Sequence, residues 1–150
     1  MCNLIITLIA IALFIGVVTS GISYVNQDAM NISQQSSNLR NSITQLESAV
    51  VSYNTTFGDY PTQVGDLIPQ FTSIPSFPAG TDLINFTNDE TTNKRYFCFN
   101  VAKTPYNFES FKKVKGERSE GSIIIANTCG VYSDMQYTSL NTTFSVSFYL

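Results

Sequence analysis

The hydrophobic pattern divides the chain early. From Leu4 to Val25 no residue is charged, and the first charge of any kind is Asp28. At a helical rise of 1.5 Å per residue this run spans about 33 Å, enough for the hydrocarbon core of a bilayer. The following stretch is polar but keeps an apolar seam: Ile32, Leu39, Ile43, Leu46, Val50 and Tyr53. Successive steps of seven, four, three, four and three place all six on one helix face. The pattern predicts one long helix from Met1 to Tyr53. Its apolar half, residues 1–25, needs lipid or other apolar helices around it. Its amphipathic half, residues 26–53, needs a sheet laid against the seam. Gly16 and Gly21, with Thr19 and Ser20 between them, mark a place where the apolar half can loosen, because glycine weakens a helix interior. Small-residue packing between neighbouring helices is the other reading of the same glycines.

The helix is expected to stop at Phe57-Gly58-Asp59-Tyr60-Pro61: glycine suits a left-handed cap, and proline cannot continue a helix. Residues 54–93 carry four prolines and read as a long connection, with a short helical turn between Val64 and Phe71. Three strands follow. Lys94–Val101 puts Phe97, Phe99 and Val101 on one face. Gly121–Ala126 carries Ile123, Ile124 and Ile125. Thr143–Leu150 alternates Phe144, Val146, Phe148 and Leu150 with polar residues and Tyr149. Between the first two strands, the basic run from Lys112 to Arg118 reads as a turn or hairpin tip. One apolar face per strand suits an antiparallel sheet backed by a helix. The fold class is α+β: a long N-terminal helix, its apolar half protruding and its amphipathic half packed on an antiparallel sheet of three or four strands within residues 94–150.

Composition narrows the chemistry. Histidine is absent, which removes the commonest general base and the commonest metal ligand. Residues 1–93 carry one base against seven acids, whereas residues 94–150 carry seven bases against four acids. Such an asymmetry suits subunits that stack on one another, and equally an ordinary solvated surface. Cys2 lies at the tip of the apolar run, whereas Cys98 and Cys129 lie in the globule. An apolar anchor places the globule outside the cytoplasm, where thiols oxidise, so Cys98 is paired with Cys129. A zinc site fits poorly, since two thiols without histidine lack further ligands. No positive residue precedes the apolar run, as a signal segment would require. Met1 is therefore expected to be a processed N-terminus, exposed by removal of a short basic leader.

The uncharged run Leu4–Val25, the seam from Ile32 to Tyr53, the phrase Tyr53-x-x-x-Phe57-Gly58-Asp59-Tyr60-Pro61 and the Cys98/Cys129 spacing resemble type IV pilins and the pseudopilins of type II secretion. The resemblance implies leader cleavage, methylation of the new N-terminus and residence in the inner membrane before assembly. It also implies polymerisation by the assembly machinery into a helical, extracellular filament of identical subunits. The filament core would then contain Leu4, Ile5, Leu8, Ile9, Ile11, Leu13, Phe14 and Val17. Where that family usually carries glutamate at the fifth mature position, this chain has Ile5; Asn3 and Thr7 offer hydrogen bonds to the buried amine instead.

Other chemistry is thin. Ser110 and Lys113 stand at Ser-x-x-Lys spacing without companion motifs. Asp82, Asn88, Asp89 and Glu90 are oxygen donors without EF-hand spacing. The Lys112–Arg118 run would meet nucleic-acid phosphates only by salt-sensitive, unspecific contact. Asn31, Asn54, Asn85 and Asn141 head glycosylation triplets. The expectation is a structural filament subunit, with no enzymatic activity, cofactor or metal. The alternatives are a minor pilin or pseudopilin at a filament tip, and a membrane-anchored binding domain that does not polymerise. Adhesion, motility, DNA uptake and secretion are all compatible with such a filament.

Overall fold

The computed structural model describes residues 2–23, 27–89 and 93–150, with side chains of the first segment described from Ile5 to Ile15. The chain divides into two compact units, Met1–Asn31 and Ile32–Leu150. In the first, α1 runs Cys2–Ser23 and is helical through Gly16 and Gly21. Helix α2 runs Gln27–Phe57. The expected continuity of a single helix falls on residues 24–26, outside the described residues, as does Met1.

Helix α2 ends where the sequence directs. Gly58 adopts φ +76°, and its N–H donates to Asn54 O at 2.8 Å. A residue with a Cβ resists that left-handed conformation. Leu39, Ile43, Leu46 and Val50 of the seam are buried, together with Ser36, Ser42 and Ala49. Ile32 and Tyr53, at the two ends of the seam, are half-buried.

The four-stranded sheet is antiparallel throughout, in the order β1-β2-β4-β3. Its strands are β1 Thr81–Asp89, β2 Lys94–Ala102, β3 Ile123–Ala126 and β4 Thr143–Tyr149. Register aligns Phe97 with Phe148, Phe99 with Val146 and Val101 with Phe144. It aligns Ile123 with Phe148 and Ile125 with Val146. These side chains share one face and form a single core with Leu39, Ile43, Leu46 and Val50 of α2. The expected helix on sheet is therefore present.

Two expectations are corrected. Residues 54–93, read as a connection, contain strand β1. Its inward residues are Thr81, Leu83 and Phe86, because a bulge at Ile84 inserts one residue between the Leu83–Phe99 and Asn85–Cys98 pairs. The period of two is broken in mid-strand, which erases the alternation that marks a strand. Of the basic segment Lys112–Arg118, expected to be a turn, Glu117-Arg118 make a turn, and Lys112–Gly116 is the end of helix α3, Pro105–Gly116. Thr104 caps it by accepting from Asn107 N at 3.1 Å, and Pro105 sits at its first turn. Its buried face is Asn107, Ser110, Phe111 and Val114. Half of that face is polar, so the helical apolar period is weak in sequence. Strands β2 and β3 both run antiparallel to β4 and hence parallel to each other. Their connection must cross a face of the sheet, and α3 makes the crossing on the core side, with Phe111 in contact with Phe99 and Phe144.

Candidate functional site

In α1, Ile5, Leu8, Ile9, Ile11, Leu13 and Phe14 are all more than half exposed, from 51% at Ile11 to 71% at Phe14. Every side chain described from Ile5 to Ile15 is exposed, so the helix offers apolar surface on all sides. Leu4 and Val17, expected beside them in a filament core, have side chains outside the described set. Among the described residues no helix is long and apolar enough to cross a membrane. The eleven residues Ile5–Ile15 cover only about 17 Å of helix.

The disulfide joins Cys98 and Cys129, with Cα atoms 5.8 Å apart. Cys98 points from β2 to the sheet face opposite the helices. There the segment after β3 is strapped along β4. Gly130 N donates to Ser147 Oγ at 2.9 Å, Ser145 Oγ to Asn127 O at 3.3 Å, and Tyr149 OH to Val131 O at 3.1 Å. Gly130 has φ +80°, and a Cβ there would lie 2.8 Å from the Tyr96 hydroxyl, so the strap needs glycine on both counts. Tyr96, Tyr149 and Tyr132 gather beside the strap, with Lys94 Nζ 3.6 Å from the Tyr132 ring centre. Burial, then the neighbouring Tyr132 and Tyr96, push the Tyr149 phenol above its ordinary 10.0.

The basic run is drawn into the fold. Arg118 donates from both terminal nitrogens to Glu47 of α2, at 2.6 and 3.1 Å, and stacks over Phe148. This bidentate pair is half-buried and clamps the end of the crossover onto α2. Lys115 pairs with Asp134, Arg40 with Glu117, and Lys112 with Glu109 at 3.7 Å. Lys113 Nζ donates to Ser33 Oγ at 3.3 Å. Each cation of the run thus has an anionic or polar neighbour among the described residues, with Lys112 and Lys113 on the exposed side of α3.

The Ser110 hydroxyl is 1% exposed and donates to Gln35 Oε1 at 3.2 Å and Ile32 O at 3.5 Å, so it is sealed in the α2–α3 contact. Asp82 and Asp89 stand near opposite ends of β1, about 23 Å apart along an extended strand, too far apart to ligate one ion together. Glu90 lies outside the described residues. Among the described residues no three acids or thiols converge as metal ligands. Asn31, Asn85 and Asn141 are exposed, and Asn54 is half-buried.

One carboxylate is shaped by its surroundings. Asp66 sits in the 3-10 turn Val64–Asp66, within the stretch expected to make a helical turn. Burial raises its carboxyl, but hydrogen bonds from the backbone N–H groups of Thr62 and Gln63 and from both their side chains outweigh that. The group is held below its ordinary 3.8.

A long N-terminal helix followed by a four-stranded antiparallel sheet with a disulfide is a pilin-like arrangement. Compared with models of protein families, with curated proteins and with solved structures, the chain matches none.

Proposed function

We propose that this chain is a structural subunit of an extracellular, type IV pilus-like filament, polymerising through its N-terminal helix. The observation that carries the reading is α1: a helix apolar on every described side, with Leu13 66% and Phe14 71% exposed. Such a surface is unstable in water, and bundling it with copies of itself buries it at roughly 25 cal/mol per Å². From lipid the gain is far smaller, since lipid is equally apolar, so contacts between globules or work by assembly machinery must complete extraction. The uncharged sequence from Leu4 to Val25 supports a stage in the inner membrane before assembly. The second reading is a minor pilin or pseudopilin at a filament tip, and Ile5 favours it. Without an acid before Asp28, no carboxylate is available to meet a neighbour's N-terminal amine and set axial register.

The test is filament formation in cells expressing variants. Leu13→Lys buries an unpaired charge in the bundle and abolishes filaments, whereas Ile5→Glu preserves them or changes their rate of formation. Normal filaments from Leu13→Lys would sink the reading. Electron microscopy of sheared surface material, followed by identification of its main protein, separates a major from a minor subunit.

A further inference from the structure

The two edges of the sheet are treated differently. At the β3 edge, Ile125 N donates to Asp134 Oδ1 at 2.9 Å and Ile125 O accepts from Met135 N at 2.8 Å, so the chain plugs its own edge. At the β1 edge no described residue bonds the outward backbone between Asp82 and Asn88. Beside it lies a groove of about 550 Å³ between β1 and the preceding connection, walled by Val64, Ile68, Ile74, Phe77 and Leu83. Ile74, 79% exposed, and the bulged Ile84, 55% exposed, leave apolar surface at the groove and along the strand. Thr81 lines the same groove at 6% exposure, and its Oγ1 is a buried side-chain oxygen with no hydrogen-bond partner among the described residues. A buried hydroxyl left unpaired is costly, and a ligand that reaches it recovers that cost.

The charge at this edge selects the occupant. Strand β1 contains Asp82 and Asp89 and no base, and no cation lines the groove. At the far end of the edge, Lys94 and Arg95 of β2 lie in register with Asp89 and Asn88, and Arg95 Nε donates to Asn88 Oδ1, so the acidic end is the one at the groove, where Asp82 is exposed. A second copy of β1 carries no base to set beside Asp82, whereas a strand bearing lysine or arginine there is attracted. We propose that the β1 edge and its groove dock a short, extended, cationic peptide segment of another protein. The segment runs along β1 and drops one apolar side chain between Ile68, Ile74 and Leu83. A backbone group of the segment meets the Thr81 hydroxyl, and a base is placed at Asp82. The bulge at Ile84 interrupts any long ladder and selects a short segment. This inference stands apart from the filament reading and concerns the unassembled chain.

The experiment titrates the full chain, in detergent micelles, with an end-blocked synthetic peptide of alternating lysine and valine, followed by amide chemical shifts. Binding is expected to shift Leu83–Asn88 together with Ile74 and Phe77. It is expected to weaken with salt, and to vanish when glutamate replaces lysine or when alternate peptide nitrogens are methylated. Asp82→Lys weakens binding about 3–30-fold, because an attraction is replaced by a repulsion of similar size. Thr81→Val weakens binding about 2–10-fold, while leaving the stability of the free chain unchanged or higher; Thr81→Ser restores binding. The proposal is overturned by absence of binding, by equal binding of the acidic peptide, by shifts lying elsewhere, or by indifference to both Asp82→Lys and Thr81→Val.

Discussion

Leu46 lies at the middle of the α2 seam and has no exposed surface. Replacing it with alanine removes about three carbons from the core, or roughly 2.4 kcal/mol of transfer free energy. A residual cavity of about 50 Å³ adds roughly 1.2 kcal/mol, because the surrounding rings and β-branched side chains relax only in part. The expected loss is therefore about 2.5–4 kcal/mol, a large fraction of the roughly 5–15 kcal/mol that holds a domain together. The assay is urea unfolding of the full chain in detergent micelles. The chain has no tryptophan, and all but one of its 8 tyrosines lie from Tyr53 onward, so near-ultraviolet circular dichroism of the tyrosines reports chiefly the globule rather than the apolar helix. With an m-value of about 1–3 kcal/mol/M, the midpoint falls by roughly 1–4 M at unchanged slope. Thr44→Ala, on the exposed face of the same helix, is the control and stays within about 0.5 kcal/mol. A loss below about 1 kcal/mol for Leu46→Ala would refute the assignment of the seam to the core.

Two further outcomes follow from the strap and the connection. Replacing Cys98 and Cys129 together by alanine opens a closure of 31 residues and costs about 3–4 kcal/mol by the loop-entropy estimate, read from the same unfolding midpoint; an unchanged midpoint contradicts it. Because the Asp66 carboxyl is held below its unfolded value, its contribution to stability is present above about pH 4 and is lost as pH falls through its lower folded value. Asp66→Asn accordingly flattens the acid limb of the stability profile below about pH 4 and leaves the slope near pH 7 unchanged; an unaltered acid limb is the contrary result.

The candidate sites were legible to different depths. The apolar α1 surface and the Cys98–Cys129 bond were readable because one needs only composition and the other has only two cysteines in the globule to join. The basic run from Lys112 to Arg118 reads as a turn in sequence, but only Glu117-Arg118 turn, and Lys112–Gly116 is helix. Lysines suggest solvent, but Asn107, Ser110, Phe111 and Val114 supply the buried face of α3, and Thr104-Pro105 supplies its start. The clue was the Thr-Pro cap, which outweighs local charge in marking a helix start. The β1 groove was hidden more completely. Thr81, Leu83 and Phe86 point inward at spacings of two and then three, and the bulge responsible exists only because β2 is there to pair with.

The sequence by itself determined the apolar α1, by composition, and the elements whose burial follows one period: the seam of α2 with its stop at Gly58, and the alternating strands β2 and β4. In these periodic elements the side-chain pattern states which face leaves water, and the backbone geometry that satisfies it is local. Tertiary structure decided what depends on residues far apart in the chain. It set the order β1-β2-β4-β3, the crossing of α3 over the sheet, the pairing of Arg118 with Glu47, and the plugging of one sheet edge but not the other. Register and partner choice are set by contacts between segments, and no window of sequence contains both sides of such a contact.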